Sequence, residues 1–297
     1  MIDKLDFLLA LAREKHFGRA AEACGVTQPT LSAGIKQLEE TLGVLLVNRG
    51  SRFQSLTAEG DRVLDWARRI VGDSRAMRDE ISAIRHGLTG RLRIAAIPTA
   101  LGMVASLTTP FRLRHPNVRF TILSRTSVEV LAELENLEID AGITYLDNEP
   151  LGKVNTVPLY RERYRLLTSA EAPLGQRDSV TWAEVAEVPL CLLTPDMQNR
   201  RIIDRLLNRA GAESRPMLES DSMILLFSHV RTGRWASVMP AKLAETLGLT
   251  ETMRAIPITD PDEVHTIGLV VPERAPMTPL TAALVAEAQR VAPTLED

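Results

Sequence analysis

Cysteine and aromatic residues are scarce in this chain: two cysteines and 4% Phe, Trp and Tyr among 297 residues. Cys24 and Cys191 stand far apart and form no CxxC pair, which removes the common zinc and dithiol spacings and fits a reducing, cytoplasmic setting. No apolar run reaches the length of a membrane span, and Met1-Ile2-Asp3-Lys4 leads into a charged amphipathic segment, so neither export nor a membrane partner is expected. The formal charge of -3 comes without an acidic or basic tail. A nucleophile elbow, a Walker loop, a GxGxxG turn and an HExxH helix are all missing, and His16, His86, His115, His229 and His265 have no ligand-like spacing. The chain is therefore expected to be no enzyme, with no catalytic residues, no metal and no cofactor. Both cysteines read as packing residues, with a redox role left open.

What is present begins near the N-terminus. Ala20, Ala21 and Ala23 are small enough for one helix to press on another, and Gly25 stands where a helix ending at Cys24 needs a positive φ. Thr27 can cap a second helix, Pro29 is tolerated in its first turn, and Leu31, Ile35 and Leu38 recur at i, i+4 and i+7 as a buried face. The opposite face carries Gln28, Thr30, Ser32, Ala33, Lys36 and Gln37, types that read base edges, with a lysine for phosphate. Helix, Gly-centred turn and polar-tipped helix predict a helix-turn-helix, although this fragment alone also fits a surface αα-hairpin. The apolar run 43–47, a turn over 48–52 with two arginines, and the segment 53–56 predict a small β-wing, its Arg52 suited to a minor groove. Residues 1–59 hold seven basic side chains (Lys4, Arg13, Lys15, Arg19, Lys36, Arg49, Arg52) and seven acidic ones (Asp3, Asp6, Glu14, Glu22, Glu39, Glu40, Glu59). Non-specific phosphate attraction should be modest, so binding should depend on cation placement and on a second copy of the module.

This segment resembles the winged helix-turn-helix of LysR-type transcriptional regulators. Phe7, Ala20-Ala21, Thr27-Gln28-Pro29, Ser32, Ile35, Leu38-Glu39, Leu42-Gly43, Leu45, Arg49, Leu56-Thr57 and Gly60 fall in that family's pattern and order. The resemblance implies DNA contacts from Thr27, Gln28, Pro29, Thr30, Ser32, Ala33 and Lys36, with Arg52 in the wing. Ala33 departs from a frequent arginine, which puts one contact in doubt, and Leu46 from a common phenylalanine.

Over 61–86, Val63, Ala67, Ile70, Ser74, Met77, Ile81 and Ile84 keep a 4, 3 spacing, the seam of a coiled coil. A second copy of the same helix is the expected partner, as in the dimerising linker of the family; packing on the chain's own C-terminal region is the alternative. Gly87 to Gly90 breaks the helix.

Strands expected at 93–97, 118–123, 141–145, 164–168, 190–194, 236–239 and 267–271 alternate with helices at 101–113, 128–137, 199–210, 222–232 and 278–291. This is an α/β region with a mostly parallel sheet, and its length predicts two lobes around one cleft. The layout resembles the family's effector domain, similar to a type II periplasmic binding protein. The expected organisation is a DNA-binding domain at 1–59, a linker helix at 60–87 and a regulatory domain at 88–297, with one lobe at 91–162 and 267–297 and the other at 163–266.

Ligands in open α/β sheets sit beyond the carboxyl ends of strands, near helix N-termini. Thr99, Ser124, Thr126, Ser127 and Thr194 put hydroxyls there, and the resemblance implies effector contacts at Thr99, Ser127 and Thr194; each alone also fits a plain helix cap. Ala100, Tyr145 and Met239 complete the candidate effector set, and Arg161, Arg163, Arg200 and Arg201 are candidate cations. With few aromatics for an apolar pocket, the expected effector is a small anion or carboxylate, formate being one guess. The partners expected are double-stranded promoter DNA, this effector, further copies in a homodimer or homotetramer, and RNA polymerase. A periplasmic solute receptor would share the two-lobed fold but has no use for a recognition helix, and an architectural DNA-binding protein would leave the hydroxyl-lined cleft unexplained.

Overall fold

The computed structural model describes residues 1–49 and 53–295. Three helices, α1 (Ile2–Glu14), α2 (Phe17–Ala23) and α3 (Gln28–Leu42), are followed by the antiparallel strands β1 (Val47–Arg49) and β2 (Phe53–Leu56) and the long helix α4 (Ala58–His86). Chain contacts gather these, as Met1–Thr89, into one compact unit together with Glu135–Glu138 and Arg274–Leu280. Its core joins Leu5, Leu8 and Leu11 of α1, Ala20 and Ala21 of α2, Leu31, Ile35 and Leu38 of α3, Leu46 and Val47, and Leu64, Ala67 and Val71 of α4.

Local chemistry sets these boundaries. Helix α2 is capped by the His16 ring, whose Nδ1 accepts from the amides of Gly18 and Arg19 at 3.1 and 3.2 Å, and Gly25 follows its end at φ +67°. Thr27 accepts from the Thr30 amide at 3.4 Å to start α3, and Thr57 accepts from the Gly60 amide at 2.9 Å to start α4. At Gly60 a Cβ would stand 2.1 Å from the Leu46 carbonyl oxygen, so the close pass of α4 over the strand entry requires glycine there.

Two expectations change in this unit. The first wing strand starts at Val47, because the 43–45 segment leaves the end of α3 with Val44 and Leu45 exposed. On α4 the expected seam divides: Ala67 and Ser74 are buried in the chain's own unit beside Leu64 and Val71, whereas Trp66, Ile70, Met77, Ile81 and Ile84 are exposed. The buried side packs on the N-terminal helices, which neither the expected second copy nor the alternative of the C-terminal region had provided for, and an apolar stripe is left on another side.

The second unit comprises Gly90–Leu134, Ile139–Glu273 and Thr281–Asp297. In chain order it contains β3 (Gly90–Ala96), a 3-10 turn (Pro98–Met103), α5 (Val104–Arg114), β4 (Val118–Ser124), α6 (Ser127–Glu135), β5 (Ala141–Tyr145), β6 (Val154–Glu162), β7 (Tyr164–Ser169), β8 (Val180–Thr181) and α7 (Trp182–Ala186). There follow β9 (Cys191–Leu193), α8 (Gln198–Arg209), β10 (Leu218–Ser220), α9 (Met223–Val230), β11 (Ser237–Pro240), α10 (Ala241–Leu247), β12 (Met253–Thr259), β13 (His265–Pro272) and α11 (Pro279–Leu295). One sheet runs β4-β3-β5-β13-β6, with β3 parallel to β4 and β5 and with β13 antiparallel to β5 and β6. The other runs β11-β7-β12-β8, antiparallel except for β12 with β8, beside the parallel pair β9 and β10.

The class is α/β as expected, but neither sheet is mostly parallel: the first mixes parallel β4-β3-β5 with antiparallel β13 and β6, the second is largely antiparallel around β7 and β12, and periodicity revealed neither β6 nor β12. Pro158 and Pro257 interrupt these strands, and β6 carries a register shift opposite Ile267 and Gly268, so neither shows a clean alternation. Among the described residues no helix is long and apolar enough to cross a membrane.

Candidate functional site

The exposed face of α3 carries Gln28, Pro29, Thr30, Ala33, Lys36 and Gln37, with Ser32 half-buried, while Leu31, Ile35 and Leu38 are wholly buried. The caps leave few of these side chains committed: the Thr27 and Thr30 hydroxyls bond to each other at 2.8 Å, and Lys36 stands 3.8 Å from Glu40. An exposed ion pair of that length is weak, so the ammonium is available to a phosphate. Arg52, expected at the wing tip, lies outside the described residues.

Glu39 ties this helix to the wing. Its carboxylate is 5% exposed and Oε1 accepts from the amides of Leu46 and Val47 at 2.9 and 3.3 Å.

In the second unit a small cavity of about 10 Å3, room for one water-sized guest, is lined by Ile97, Pro98, Thr99, Ser127, Tyr145, Leu193, Met197, Gln198 and Asn199. It opens at the ends of β3, β5 and β9 and at the first turns of α6 and α8, where the strand-end rule places ligands. Thr99 is 2% exposed and its hydroxyl has no protein partner among the described residues, so it is no helix cap; a buried hydroxyl of this kind is stabilised by a guest that hydrogen-bonds. The Ser127 hydroxyl accepts from Arg201 at 3.3 Å, and Arg201 is held by Glu149 at 2.8 Å.

The remaining expected residues stand elsewhere. Thr126 caps α6, accepting from the Glu129 amide at 3.2 Å while its own amide donates to Glu129 at 2.8 Å. Ala100 and Thr194 are not among the lining residues, although Leu193 and Met197 beside Thr194 are. Met239 is buried in the core around Leu167, Cys191, Met223 and Leu226, because β11 turns it toward the helices that cover the second sheet. Arg200 is buried and paired with Asp204 and Glu219 at 2.7 and 2.6 Å, and Arg163 pairs with Asp262, so these two cations are structural.

Behind the cavity lies a polar cluster that residue patterns did not reveal. The Tyr145 hydroxyl donates to Glu162 Oε1 at 2.5 Å and lies 3.0 Å from the Tyr164 hydroxyl, and Asn199 Nδ2 donates to both phenol oxygens at 3.4 and 3.3 Å. Burial pushes the Glu162 carboxyl up to about 8, with the Tyr145 bond opposing the rise and the charge of Asp147 adding to it. Burial likewise holds both phenols well above their ordinary value and His265 below its own. The signal available in the sequence was weak: Glu162 sits between Arg161 and Arg163, as a surface residue would.

Cys191 is wholly buried and burial raises its thiol to about 11; the Cys24 thiol is also raised, by burial and then by Asp6.

Comparison with known proteins agrees with this layout. Residues 2–61 match the model of the bacterial regulatory helix-turn-helix protein, lysR family, and residues 85–293 match that of the LysR substrate binding domain. OxyR, the DNA-binding transcriptional dual regulator of Escherichia coli (strain K12), is 28% identical over 285 residues, covering 93% of this chain and 90% of that protein. The hydrogen peroxide-inducible genes activator of Haemophilus influenzae is 27% identical over 277 residues, covering 93% and 92%. A solved full-length OxyR from Pseudomonas aeruginosa, a cysteine-to-aspartate variant, superposes with a TM-score of 0.75 at 25% identity, over 98% of this chain and 99% of that one. Full-length CbnR complexed with its target DNA has the same fold, with a TM-score of 0.61 at 22% identity over 98% and 100%. Two family models in tandem, on a winged module followed by a two-sheet α/β unit, show that the chain belongs to the LysR family: it is a DNA-binding transcriptional regulator with an effector-binding domain, and not an enzyme.

Proposed function

We propose that this regulator reads double-stranded promoter DNA with residues 1–59, pairs copies through 60–87, and is tuned by a small anion or carboxylate sensed by 88–297. The observation that carries the effector reading is the unpartnered, buried Thr99 hydroxyl in a cavity of about 10 Å3. Hydroxyls at this cavity, with the Arg201 guanidinium one bond away through Ser127, suit a very small anion; the cavity as it stands holds a single water-sized guest, so even formate would have to widen it slightly. A larger effector would have to open the cavity. Closure around the guest would shift the angle between the sheets and re-space the DNA-reading modules of a homodimer or homotetramer, with a coupling of about 1 to 3 kcal/mol.

Several relatives are named for hydrogen peroxide, and a solved cysteine-to-serine OxyR variant from Corynebacterium glutamicum has peroxide bound. Thiol oxidation is a poor fit here. Only a thiolate attacks the peroxide O–O bond readily, and both cysteines have thiols raised above their ordinary value, Cys191 with no exposed surface. Non-covalent occupancy of the cavity is the mechanism proposed.

The test is a thermal-shift screen of the full chain against formate, acetate, nitrate and chloride, repeated with Thr99→Ala and with Cys24→Ser combined with Cys191→Ala. A shift that Thr99→Ala removes and the cysteine variant keeps is expected, since ligand binding to the native state raises its melting temperature. A response to peroxide that depends on either cysteine would replace this reading with a redox one.

For DNA, Gln28→Ala should relax preference at one base position by about 1 to 3 kcal/mol, whereas Lys36→Ala should weaken all sites alike and lower the salt slope by about one. Equal losses from both on specific and random duplexes, read by fluorescence anisotropy, would remove Gln28 from base reading.

A further inference from the structure

Glu162 is wholly enclosed and has one oxygen satisfied: Oε1 takes the Tyr145 hydroxyl, while Oε2 has no partner among the described residues. The donors in the cluster run one way. Asn199 donates to both phenol oxygens, and Tyr145 donates onward to Glu162, so the Tyr145 proton points away from the guest. Yet Tyr145 and Asn199 both line the cavity. The direction of the 2.5 Å bond therefore depends on which oxygen holds the proton. A neutral Glu162 can donate to the phenol oxygen, which frees the Tyr145 hydroxyl to donate elsewhere; an ionised Glu162 can only accept and keeps that hydroxyl to itself.

We infer that Glu162 is a proton switch behind the cavity: its neutral acid releases the Tyr145 hydroxyl to a small anion held by Thr99 and Ser127, so that anion and proton are bound together. This rests on the anion reading of the cavity and adds how the site is regulated.

The charged surroundings decide the pH range. Asp147 follows β5 and adds to the rise of Glu162; His265 on β13 is its cross-strand neighbour and is kept uncharged by burial, with Asp147 and Glu263 3.7 and 3.9 Å from its ring nitrogens. On α8, Arg205 bonds to Asn148 at 2.7 Å and Arg201 to Glu149, so both cations are engaged with the loop after β5. Arg161 and Arg163, flanking Glu162 on its own strand, are exposed. Tyr145 and Tyr164 titrate above their ordinary value and stay neutral while Glu162 changes state.

The sign follows. Below its midpoint, about 8, Glu162 is neutral and affinity for the anion is flat. Above it, each pH unit should cost about a tenfold loss of affinity, because the anion must bring a proton with it. Calorimetry of the full chain with formate and acetate, in buffers of different ionisation enthalpy, reads both slope and proton uptake. Glu162→Gln, whose amide donates to Tyr145 as the neutral acid would, should bind with no slope, and Tyr145→Phe should bind weakly at every pH. Difference infrared spectra of wild type against Glu162→Gln test the acid in the free protein, whatever the variants do: a carboxylic-acid carbonyl band at neutral pH that fades as pH rises is expected. A missing acid band, or anion binding that ignores pH in wild type, overturns the switch and leaves the cavity reading standing. No binding of either anion at any pH overturns both.

Discussion

Met77→Asp combined with Ile81→Asp should yield a folded monomer whose affinity for a two-half-site operator falls by about a hundredfold or more. Trp66, Met77, Ile81 and Ile84 are 61%, 56%, 49% and 78% exposed, with Ile70 between them, on a helix whose other side is fixed in the core by Leu64, Ala67 and Val71. Water-facing isoleucine and tryptophan at helical spacing form a contiguous apolar stripe, and hiding it against a second copy gains about 25 cal/mol for each Å2 removed from water. Two carboxylates in the middle of that stripe would have to be desolvated against their own images in the two-fold pair. Loss of pairing turns a bivalent reader into a monovalent one, and effective concentration alone carries about two to four decades of affinity. The near-neutral charge of residues 1–59 leaves little non-specific attraction to compensate. Sedimentation should show one copy per particle, with a circular dichroism spectrum unchanged because neither side chain supports the fold. A double variant that remains a dimer with intact DNA affinity would place the pairing surface elsewhere.

The parts of the molecule that were legible in advance are those governed by neighbours in sequence. Thr27, Pro29 and Gly25 mark helix ends within a few residues of what they control, and Leu31, Ile35 and Leu38 report one helical face, so the reading module could be placed almost residue by residue. The seam on α4 was half legible: spacing gives a stripe, but whether Ala67 and Ser74 face a partner or α1 is decided by tertiary packing, and the structure buries them at home. In the effector domain the rule about strand ends named Thr99 and Ser127, which line the cavity, and Thr194, which does not, while Met239, added as a wall residue, proved to be core. Glu162, Tyr164 and Asn199 meet from β6, β7 and α8, and β6 itself was hidden by Pro158 and a register shift. A buried polar cluster assembled from distant segments leaves no periodic trace, because each member is flanked by residues that look like surface.

Glu39→Ala should cost more DNA affinity than any other single change in the fold of the reading module, because its buried carboxylate holds the chain where it enters the wing. The Glu39 carboxylate accepts from two amides, Leu46 and Val47, just where the chain enters β1, and Thr57 closes the same junction by donating its hydroxyl to the Leu45 carbonyl at 2.7 Å and its amide to the Leu46 carbonyl at 3.0 Å. The Glu39 carboxylate thus joins recognition helix to wing, and Thr57 joins the same segment to the start of α4. Removing it leaves two buried N–H groups without this acceptor, each costing about 1 to 3 kcal/mol, more when the lost partner is charged. Summed, that approaches the loss from deleting a core leucine such as Leu38, about 2 to 5 kcal/mol, but the consequence differs. Leu38→Ala loosens packing on one face of α3, whereas Glu39→Ala releases the wing from the recognition helix, so DNA affinity should fall by about tenfold or more even where the module stays folded. Glu39→Gln keeps a carbonyl oxygen on the same atoms and should recover part of both losses. Because the two units need not unfold together, a whole-chain melting curve would blur the effect. Amide hydrogen exchange at Leu46 and Val47 isolates it: both amides should exchange much faster in Glu39→Ala than in wild type, with Glu39→Gln between, while the amides of Leu166 and Leu167 on β7 stay unchanged. Unaltered protection at Leu46 and Val47 would show that the wing is held by Thr57 and the core alone.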